Sequence, residues 1–524
     1  MSFNSFYFVF FLAVVVSLYY MMPRKHRWIV LLAASYGFYY ISGVKNLIFI
    51  FITTVTTYLS GGIIQKNKER LKNNDDMPEA DHKKLKARVK LYNRTVLTIS
   101  LLINFLMLLF LKYFNFFGDT INFIARGSIE IPYQNLLFPL GISFYTFQST
   151  SYMIDVYRGK ISHCRNLFKY ALFVCYFPQI IQGPINKYNE LEKQFFTPVR
   201  FSWDNLKYGI QLMMWGYFKK MIIADRLAVL VDHVFSDYSQ YGGFIIFFSV
   251  FMYSIQLYCD FSGGIDIALG ASQTLGIKLA ENFKRPFFAV NVDDFWRRWH
   301  ISLSRWMKDY LFYPLSLSRG FAKMGRFTRK AFGGNIGKLI PACVATVIVF
   351  LAVGLWQGPD WKFIIYGLWN GLLISIAMLM KKPVASVQNK LHVKPDGFIV
   401  HFFGIIRTIF LITIGRYFTR AESTAQALAM LKKTFVNPMS AELFSNKIFG
   451  MGLEMKDLII VAAAILILFV VSIIQEQGDS VREVLEGKGH FVQSLATFVI
   501  LFILTFYGIY ATGYISPDFI YGSI

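Results

Sequence analysis

Long apolar runs recur along this chain and are separated by short polar or basic segments. Each run has about 17–25 residues and few charges, which suits a helix that crosses the hydrocarbon core of a bilayer. The runs lie at roughly residues 3–22, 28–44, 46–64, 95–117, 137–155, 168–185, 205–223, 244–260, 339–357, 361–380, 400–418, 457–474 and 492–512. The pattern predicts an all-α polytopic membrane protein with about a dozen transmembrane helices, some of them re-entrant or interfacial.

Composition supports the membrane class and gives no sign of a metal centre. Hydrophobic residues make up 55% of the 524 residues and charged residues only 16%, whereas soluble proteins carry about 25% charged residues. The four cysteines show no C-x-x-C spacing, and no H-x-x-x-H pair occurs. We predict packed thiols, no disulfide, no metal and no permanently bound cofactor.

The net charge of +23 comes mainly from basic loops, at 24–27, 66–94 and 278–338. The positive-inside rule places such loops in the cytoplasm and therefore the N-terminus outside. A basic face against anionic lipid explains the charge better than a nucleic-acid site. The chain is predicted to form one membrane-embedded domain over 1–524, with 66–94 as a cytoplasmic helical excursion.

Two polar stretches stand out because polarity is costly at membrane depth. The first, "FPLGISFYTFQSTSYMIDVYRG" at 138–159, suits a cavity wall, a re-entrant helix covered by protein, or ordinary hydrogen bonding between helices. The second, "FPQIIQGPINKYNEL" at 177–191, contains helix-breaking Pro and Gly. It is either an interfacial turn or backbone that lines a site.

A third stretch combines aromatic and basic residues in "VDDFWRRWHISLSRWMKDY". As one continuous helix it would place Trp296, His300 and Ser304 on one face, with Arg297 and Arg298 on either side. An interfacial amphipathic helix would explain this composition. Contact with a phosphorylated donor, such as a CoA or phosphopantetheine group, would explain it as well.

The fourth stretch, "AVGLWQGPDWKFIIYGLWNG" at 352–371, places Trp356, Gln357 and Asn370 in apolar surroundings. Hydrogen bonds from the two amides to neighbouring helices would account for these polar residues in an apolar run. From the residues alone, a transporter and an enzyme with a polar internal cavity both remain open.

Seven motifs, in this order, resemble the membrane-bound O-acyltransferase family, and most closely its bacterial branch of polysaccharide O-acetyltransferases and teichoic acid D-alanyltransferases. The motifs are "LGISFYTFQSTSYMIDVYRG", "FPQIIQGPI", "GYFKKMIIADRLA", "DFSGGIDIALG", "ENFKRPF", "DFWRRWHISLSRWMKDYLFYPL" and "VGLWQGPDWKFIIYGLWNG". The resemblance implies a ring of helices around a central funnel, where a cytoplasmic thioester donor meets an acceptor from the other side.

The resemblance also implies that two histidines meet in this funnel. One maps onto His300, whereas the principal catalytic histidine, of a "G-x-W-H-G" motif, maps onto Gln357. Glutamine forms hydrogen bonds but has no usable basic pKa. Three explanations are open: an engineered inactive variant, a natural member with altered or lost activity, or an enzyme in which His300 is the base alone.

Further site residues follow from the same resemblance. We expect Asp260, Asp266, Arg297 and Arg298 to shape the funnel or bind donor phosphates. Other predicted substrate-binding residues are Asn370, which would support Gln357, and Trp296, Ser304 and Trp356.

The tail at 514–524, "YISPDFIYGSI", is similar to a short aromatic C-terminal motif found in some relatives. Tyr521 would then relay the acyl group, because a phenyl ester stays activated for a second transfer. Ile524 departs from the motif's final Phe. A tyrosine in an interfacial aromatic belt explains the residue equally well.

The predicted function is O-acylation, most simply acetylation, of a cell-surface polysaccharide from acyl-CoA or an acyl carrier protein. D-alanyl transfer to teichoic acid is the alternative within the family. A transporter or flippase, or a non-catalytic scaffold, is the alternative of another class. An extracytoplasmic transferase partner and a bacterial cytoplasmic membrane location are expected from the resemblance.

Overall fold

The computed structural model describes residues 2–508, apart from 75, 127, 129, 138, 395–396 and 439–449. The predicted C-terminal tail, with Tyr521, lies outside the described residues.

The described residues are mainly helical and form no strand beyond one isolated bridge, between Phe283 and Trp299. The predicted all-α polytopic class is confirmed. Eight helices of the described chain are long and apolar enough to cross a membrane. The other predicted spans correspond to shorter helices.

The chain forms two compact units. Unit 1 contains residues up to Leu212 and Ala268–Ala280, whereas unit 2 contains Met213–Ile267 and the described residues from Glu281 onward. The first nine helices are α1 (Phe6–Met21), α2 (Arg27–Ile41), α3 (Leu47–Lys72), α4 (Glu79–Ala125), α5 (Ile142–Arg158), α6 (Leu167–Cys175), α7 (Phe177–Ile180), α8 (Tyr188–Phe196) and α9 (Trp203–Tyr217).

The later helices follow a π-helical segment, Phe218–Ala224. They are α10 (Asp225–Ser236), α11 (Gly243–Thr274), α12 (Val292–Arg298), α13 (Ile301–Met307), α14 (Tyr313–Ser316), α15 (Arg319–Ile336), α16 (Ile340–Gln357), α17 (Trp361–Lys390), α18 (Phe398–Arg420), α19 (Thr424–Val436), α20 (Met455–Glu476), α21 (Val481–Gly487) and α22 (His490–Tyr507). A second π-helical segment, Lys308–Phe312, joins α13 to α14.

Residues 66–94 are the polar ends of two long helices in unit 1. Helix α3 runs on to Lys72, and α4 begins at Glu79 after the N-cap Pro78. With 47 residues, α4 is about 70 Å long. A bilayer core is about 30 Å thick, so a large part of α4 must extend beyond it.

Helix α5 explains how unit 1 accommodates its most polar stretch. Nearly all of its side chains are buried by protein. Its hydroxyls bond to carbonyls of the same helix, as Ser149 does to Tyr145 and Thr150 to Thr146, both at 2.6 Å. Such bonds satisfy a buried hydroxyl without a partner helix.

The apolar run at 168–185 is not one spanning helix, and the helix break predicted from Pro and Gly in 177–191 is confirmed. Helix α6 ends at Cys175 and the four-residue α7 follows. Pro178 has no amide hydrogen for a continued helix, and its ring would clash with the carbonyl one turn earlier. The Phe177 amide, which a continued helix would direct at the Phe173 carbonyl, donates instead to Ser35 Oγ at 3.1 Å. The Phe173 carbonyl accepts bonds from the side-chain amides of Gln148 at 2.7 Å and Gln179 at 3.0 Å.

In unit 2, α16 and α17 form a tightly packed hairpin. A side chain at Gly354 would overlap the carbonyl oxygen of Phe363, and one at Gly367 would overlap that of Phe350. Small residues allow this close backbone approach between membrane helices. The contact fixes the end of α16, and therefore the backbone position of Gln357.

Candidate active site

His300 lies at a break between two short helices, so the prediction of one continuous helix here is wrong. Helix α12 ends at Arg298, Trp299 is extended, and His300 has left-handed backbone angles of φ 46° and ψ 52°. Trp296, His300 and Ser304 therefore do not share one helical face.

The break has a physical cause in long-range backbone bonds. The amide of Lys284 donates to the Arg298 carbonyl at 2.8 Å, and that of Ile301 donates to the Asn282 carbonyl at 3.0 Å. These bonds draw the chain out of the helix on both sides of His300. A non-glycine residue in left-handed conformation is costly and is often found at functional sites.

Asn282 orients the His300 ring. Its side-chain oxygen accepts from the Ser302 amide at 3.0 Å and the Ser302 hydroxyl at 2.9 Å, and lies 3.3 Å from His300 Nδ1. A carbonyl oxygen can only accept, so His300 Nδ1 carries the proton of this bond. In the neutral ring, Nε2 then holds the lone pair.

The environment of His300 is aromatic and closed. The ring centroid lies 4.9 Å from that of Phe261 and 5.5 Å from that of Trp356, both in edge-to-face geometry. Trp356 immediately precedes Gln357, which is 5% exposed. Within the described part of the chain, no side-chain hydrogen bond to Gln357 is present. The fold thus brings His300 beside the end of α16.

The side-chain amide of Asn370, in contrast, forms hydrogen bonds through both its oxygen and its nitrogen. Its oxygen accepts from Trp296 Nε1 at 3.0 Å, and its nitrogen donates to the Tyr366 carbonyl at 2.9 Å. Asn370 and Trp296 are both buried. This hydrogen bond joins α12 to α17.

Asp260 and Asp266 belong to a buried ion-pair network with two consecutive lysines. Lys220 Nζ lies 2.6 Å from Asp260 and 2.9 Å from Asp225. Lys219 Nζ lies 2.8 Å from Asp266. Both lysines belong to the π-helical segment Phe218–Ala224, a conformation frequent at functional sites.

The two arginines predicted for phosphate binding are already paired. Arg297 pairs with Asp293 and is largely exposed. Arg298 contacts Asp294 at 3.2 Å and Glu476 at 2.8 Å. Their positive charge is balanced by these carboxylates.

Sequence reasoning missed Asn282, Ser302, Lys219 and Lys220. All four lie within motifs quoted above, yet none was singled out. The clearest available signal was the pair of adjacent lysines in an apolar run, because buried lysines require acidic partners. Among the described residues, no group of three or more His, Cys, Asp or Glu is placed to hold a metal ion.

Burial lowers the pKa of His300 to about 3, against about 6.5 in an unfolded chain. As pH falls below 6.5, the unfolded chain therefore takes up a proton before the folded protein does. Stability from this group is fully present above pH 6.5 and is lost toward pH 3, by about 1.4 kcal/mol per pH unit. Lowering the pH from 7 to 5 should therefore reduce the free energy of unfolding by about 2 kcal/mol less in His300→Asn than in wild type.

Unfolding of the purified protein in detergent at both pH values measures this difference. The control is His392→Asn, which changes an exposed histidine that also has a positive φ, of 53°. Equal pH dependence in wild type and His300→Asn would contradict a buried neutral imidazole.

A buried histidine oriented by an amide, in a polytopic helical chain, is a candidate catalytic group. The model of the MBOAT, membrane-bound O-acyltransferase, family matches residues 159–329. A probable alginate O-acetylase of Azotobacter vinelandii is 32% identical over 444 residues, which cover 83% of this chain and 78% of the relative. The chain belongs to the membrane-bound O-acyltransferase family and is an O-acyltransferase.

Two other relatives show the range of the similarity. The peptidoglycan O-acetyltransferase of Helicobacter pylori is 32% identical over 367 residues, covering 65% of this chain and 64% of the relative. The teichoic acid D-alanyltransferase of Bacillus subtilis is 29% identical over 265 residues, which cover 50% of this chain and 64% of the relative.

Proposed function

We propose that this protein transfers an acetyl group from a cytoplasmic thioester toward the hydroxyl of a cell-surface polysaccharide. The observation that carries the proposal is His300, buried beside Trp356 and oriented by Asn282 with the lone pair on Nε2. The named activities of the alginate-type and peptidoglycan relatives favour acetyl as the group.

In this mechanism the acceptor hydroxyl donates its hydrogen bond to His300 Nε2. The hydroxyl oxygen then attacks the thioester carbonyl, a new C–O ester bond forms, and the C–S bond breaks. The proton passes through His300 to the departing thiolate. A positioned general base of this kind contributes about 10²–10⁴-fold.

Gln357 has a different role in the proposal. Its amide N–H donates to the thioester carbonyl oxygen, where negative charge develops, as an oxyanion donor does. Support comes from its burial and from the lack of a side-chain bond within the described structure. Because glutamine cannot accept the proton, and burial disfavours protonated His300, we expect an enzyme of low activity.

The proposed donor is acyl-CoA or the phosphopantetheine thioester of an acyl carrier protein. The location is a bacterial cytoplasmic membrane, with the N-terminus outside and the basic loops in the cytoplasm. An extracytoplasmic transferase partner would pass the group to the polymer. Tyr521 remains the proposed acyl relay, and Asp260, Asp266, Arg297 and Arg298 are proposed to shape the donor entrance through their ion pairs.

A second candidate function is D-alanyl transfer to teichoic acid. It is supported by the 29% identity to the Bacillus subtilis D-alanyltransferase. Its donor would be a D-alanyl thioester on a carrier protein, and the site chemistry would be the same.

Label transfer in proteoliposomes tests the proposal. Purified protein is given labelled acetyl-CoA, acetyl carrier protein or D-alanyl carrier protein on one side and an acceptor polysaccharide on the other. Slow transfer from an acetyl donor is expected, and it should disappear in His300→Asn. Transfer only from the D-alanyl donor would select the second candidate.

The same vesicles separate the other classes. Solute counterflow without acyl chemistry would support a transporter and contradict the proposal. Tight donor binding without turnover, both in wild type and in Gln357→His, would support a scaffold.

A further inference from the structure

A basic pocket lies on α15, and its lining includes no residue of the candidate active site. It has a volume of about 350 Å³ and is lined by Ala322, Gly325, Arg326, Arg329 and Lys338. Three of the five lining residues are cationic, and the other two are small. The pocket is therefore a concave surface with positive charge on its wall and little side chain to fill it.

No acidic residue balances this charge nearby in the chain. The stretch 319–338 has six Lys or Arg residues, and no Asp or Glu occurs between Asp309 and Asp360. Within the described structure, none of the three lining cations pairs with a carboxylate. This contrasts with Arg298, which two carboxylates contact. An uncompensated cluster of cations attracts an anion from outside the chain.

Local backbone geometry builds the pocket. Helix α15 is kinked at Gly333, whose φ of 76° suits glycine. The chain then folds back, so that the Thr328 hydroxyl donates to the Gly337 carbonyl at 2.7 Å. A side chain at Gly337 would overlap the Thr328 carbonyl and Arg329 Cα. This close return brings Lys338 beside Arg329.

The surroundings of the pocket are amphipathic. Phe327, Phe332 and Ile336 on the same helix are 70%, 59% and 53% exposed. Exposed aromatic and aliphatic residues among arginines and lysines are typical of a helix in a membrane interface, at the depth of lipid phosphates. Arginine binds phosphate through parallel N–H donors, and lysine acts as a compact positive charge.

We infer that this pocket binds a phosphate group, with Arg326, Arg329 and Lys338 as its ligands. The exposed apolar residues favour an anionic phospholipid headgroup as its source. The phosphates of CoA present the same chemistry. Binding does not depend on His300 or Gln357, so the inference stands apart from the proposed acyl transfer.

The test uses the full-length protein in nanodiscs or micelles of zwitterionic lipid. Phosphatidylglycerol, CoA and inorganic phosphate are titrated separately, with native mass spectrometry for the lipid and calorimetry for the soluble ligands. The double change Arg326→Gln and Arg329→Gln should weaken binding of phosphatidylglycerol about tenfold or more, since charge-assisted hydrogen bonds to phosphate are lost. Ala322→Leu should weaken it comparably by filling the pocket, with every charge kept.

The matched control is Lys330→Gln, which removes an exposed charge from the same helix outside the pocket. It should change binding less than twofold. If the pocket variants bind only phosphatidylglycerol more weakly, the pocket is a lipid site. If they bind CoA more weakly, the pocket holds the phosphates of the donor. Equal effects of Lys330→Gln and the pocket variants, or no effect of Ala322→Leu on any ligand, would overturn the inference.

Discussion

Replacing Gln357 with histidine is expected to raise the rate of acyl transfer by about 10²–10⁴-fold, because it adds a second general base to a site where burial disfavours protonated His300. Gln357 is buried at the end of α16, next to the tryptophan that contacts the His300 ring. Histidine and glutamine have similar reach, so the substitution adds a proton acceptor with little change in packing. Initial rates of label transfer from acetyl donors measure the gain.

Two substitutions control for this gain. Gln357→Asn keeps an amide and should not increase the rate. Asn370→His introduces a histidine at the other amide position, where it would break the bonds to Trp296 and the Tyr366 carbonyl. It should lower stability without accelerating transfer. If folded Gln357→His is no faster than wild type, the idea that residue 357 limits the rate is wrong.

Replacing His300 with asparagine should lower acyl transfer by about 10²–10³-fold, and by less in the Gln357→His background, where the introduced histidine accepts the proton as well. The imidazole is the group that Asn282 orients, and the substitution removes its Nε2 acceptor. Asparagine is chosen because it adopts left-handed backbone angles more readily than most residues. The rate constant at saturating donor should fall more than the apparent donor affinity.

His392→Asn provides the matched comparison, because it makes the same substitution at an exposed residue with a positive φ. Its rate should equal that of wild type. A His300→Asn protein that folds normally and retains full turnover would exclude His300 from the chemistry.

Much of the fold could be predicted from apolar runs, because a helix in a bilayer must satisfy its own backbone. The prediction failed where other backbone bonds compete with the helix. At 168–185 the sequence itself indicated the helix break, because Pro178 cannot continue a helix. At His300 the sequence contained no such signal, because the helix is interrupted by backbone bonds from Lys284 to Arg298 and from Ile301 to Asn282, which are distant in sequence.

The site could be predicted only in part. The motif resemblance pointed to His300 and Gln357 as site residues, and the structure places the His300 ring against Trp356, the residue before Gln357. The pairing of Arg297 with Asp293 follows from i,i+4 spacing and was readable in the sequence. The contact of Arg298 with Glu476 was not, because 178 residues separate them.

The glycine contacts between α16 and α17 have an evolutionary consequence. They set the backbone at position 357 through Gly354 and Gly367, whatever side chain stands there. Codons for glutamine and histidine differ only in the third base. A lineage could therefore lose the titratable group and regain it by a single mutation, while the surrounding architecture stays ready for either residue.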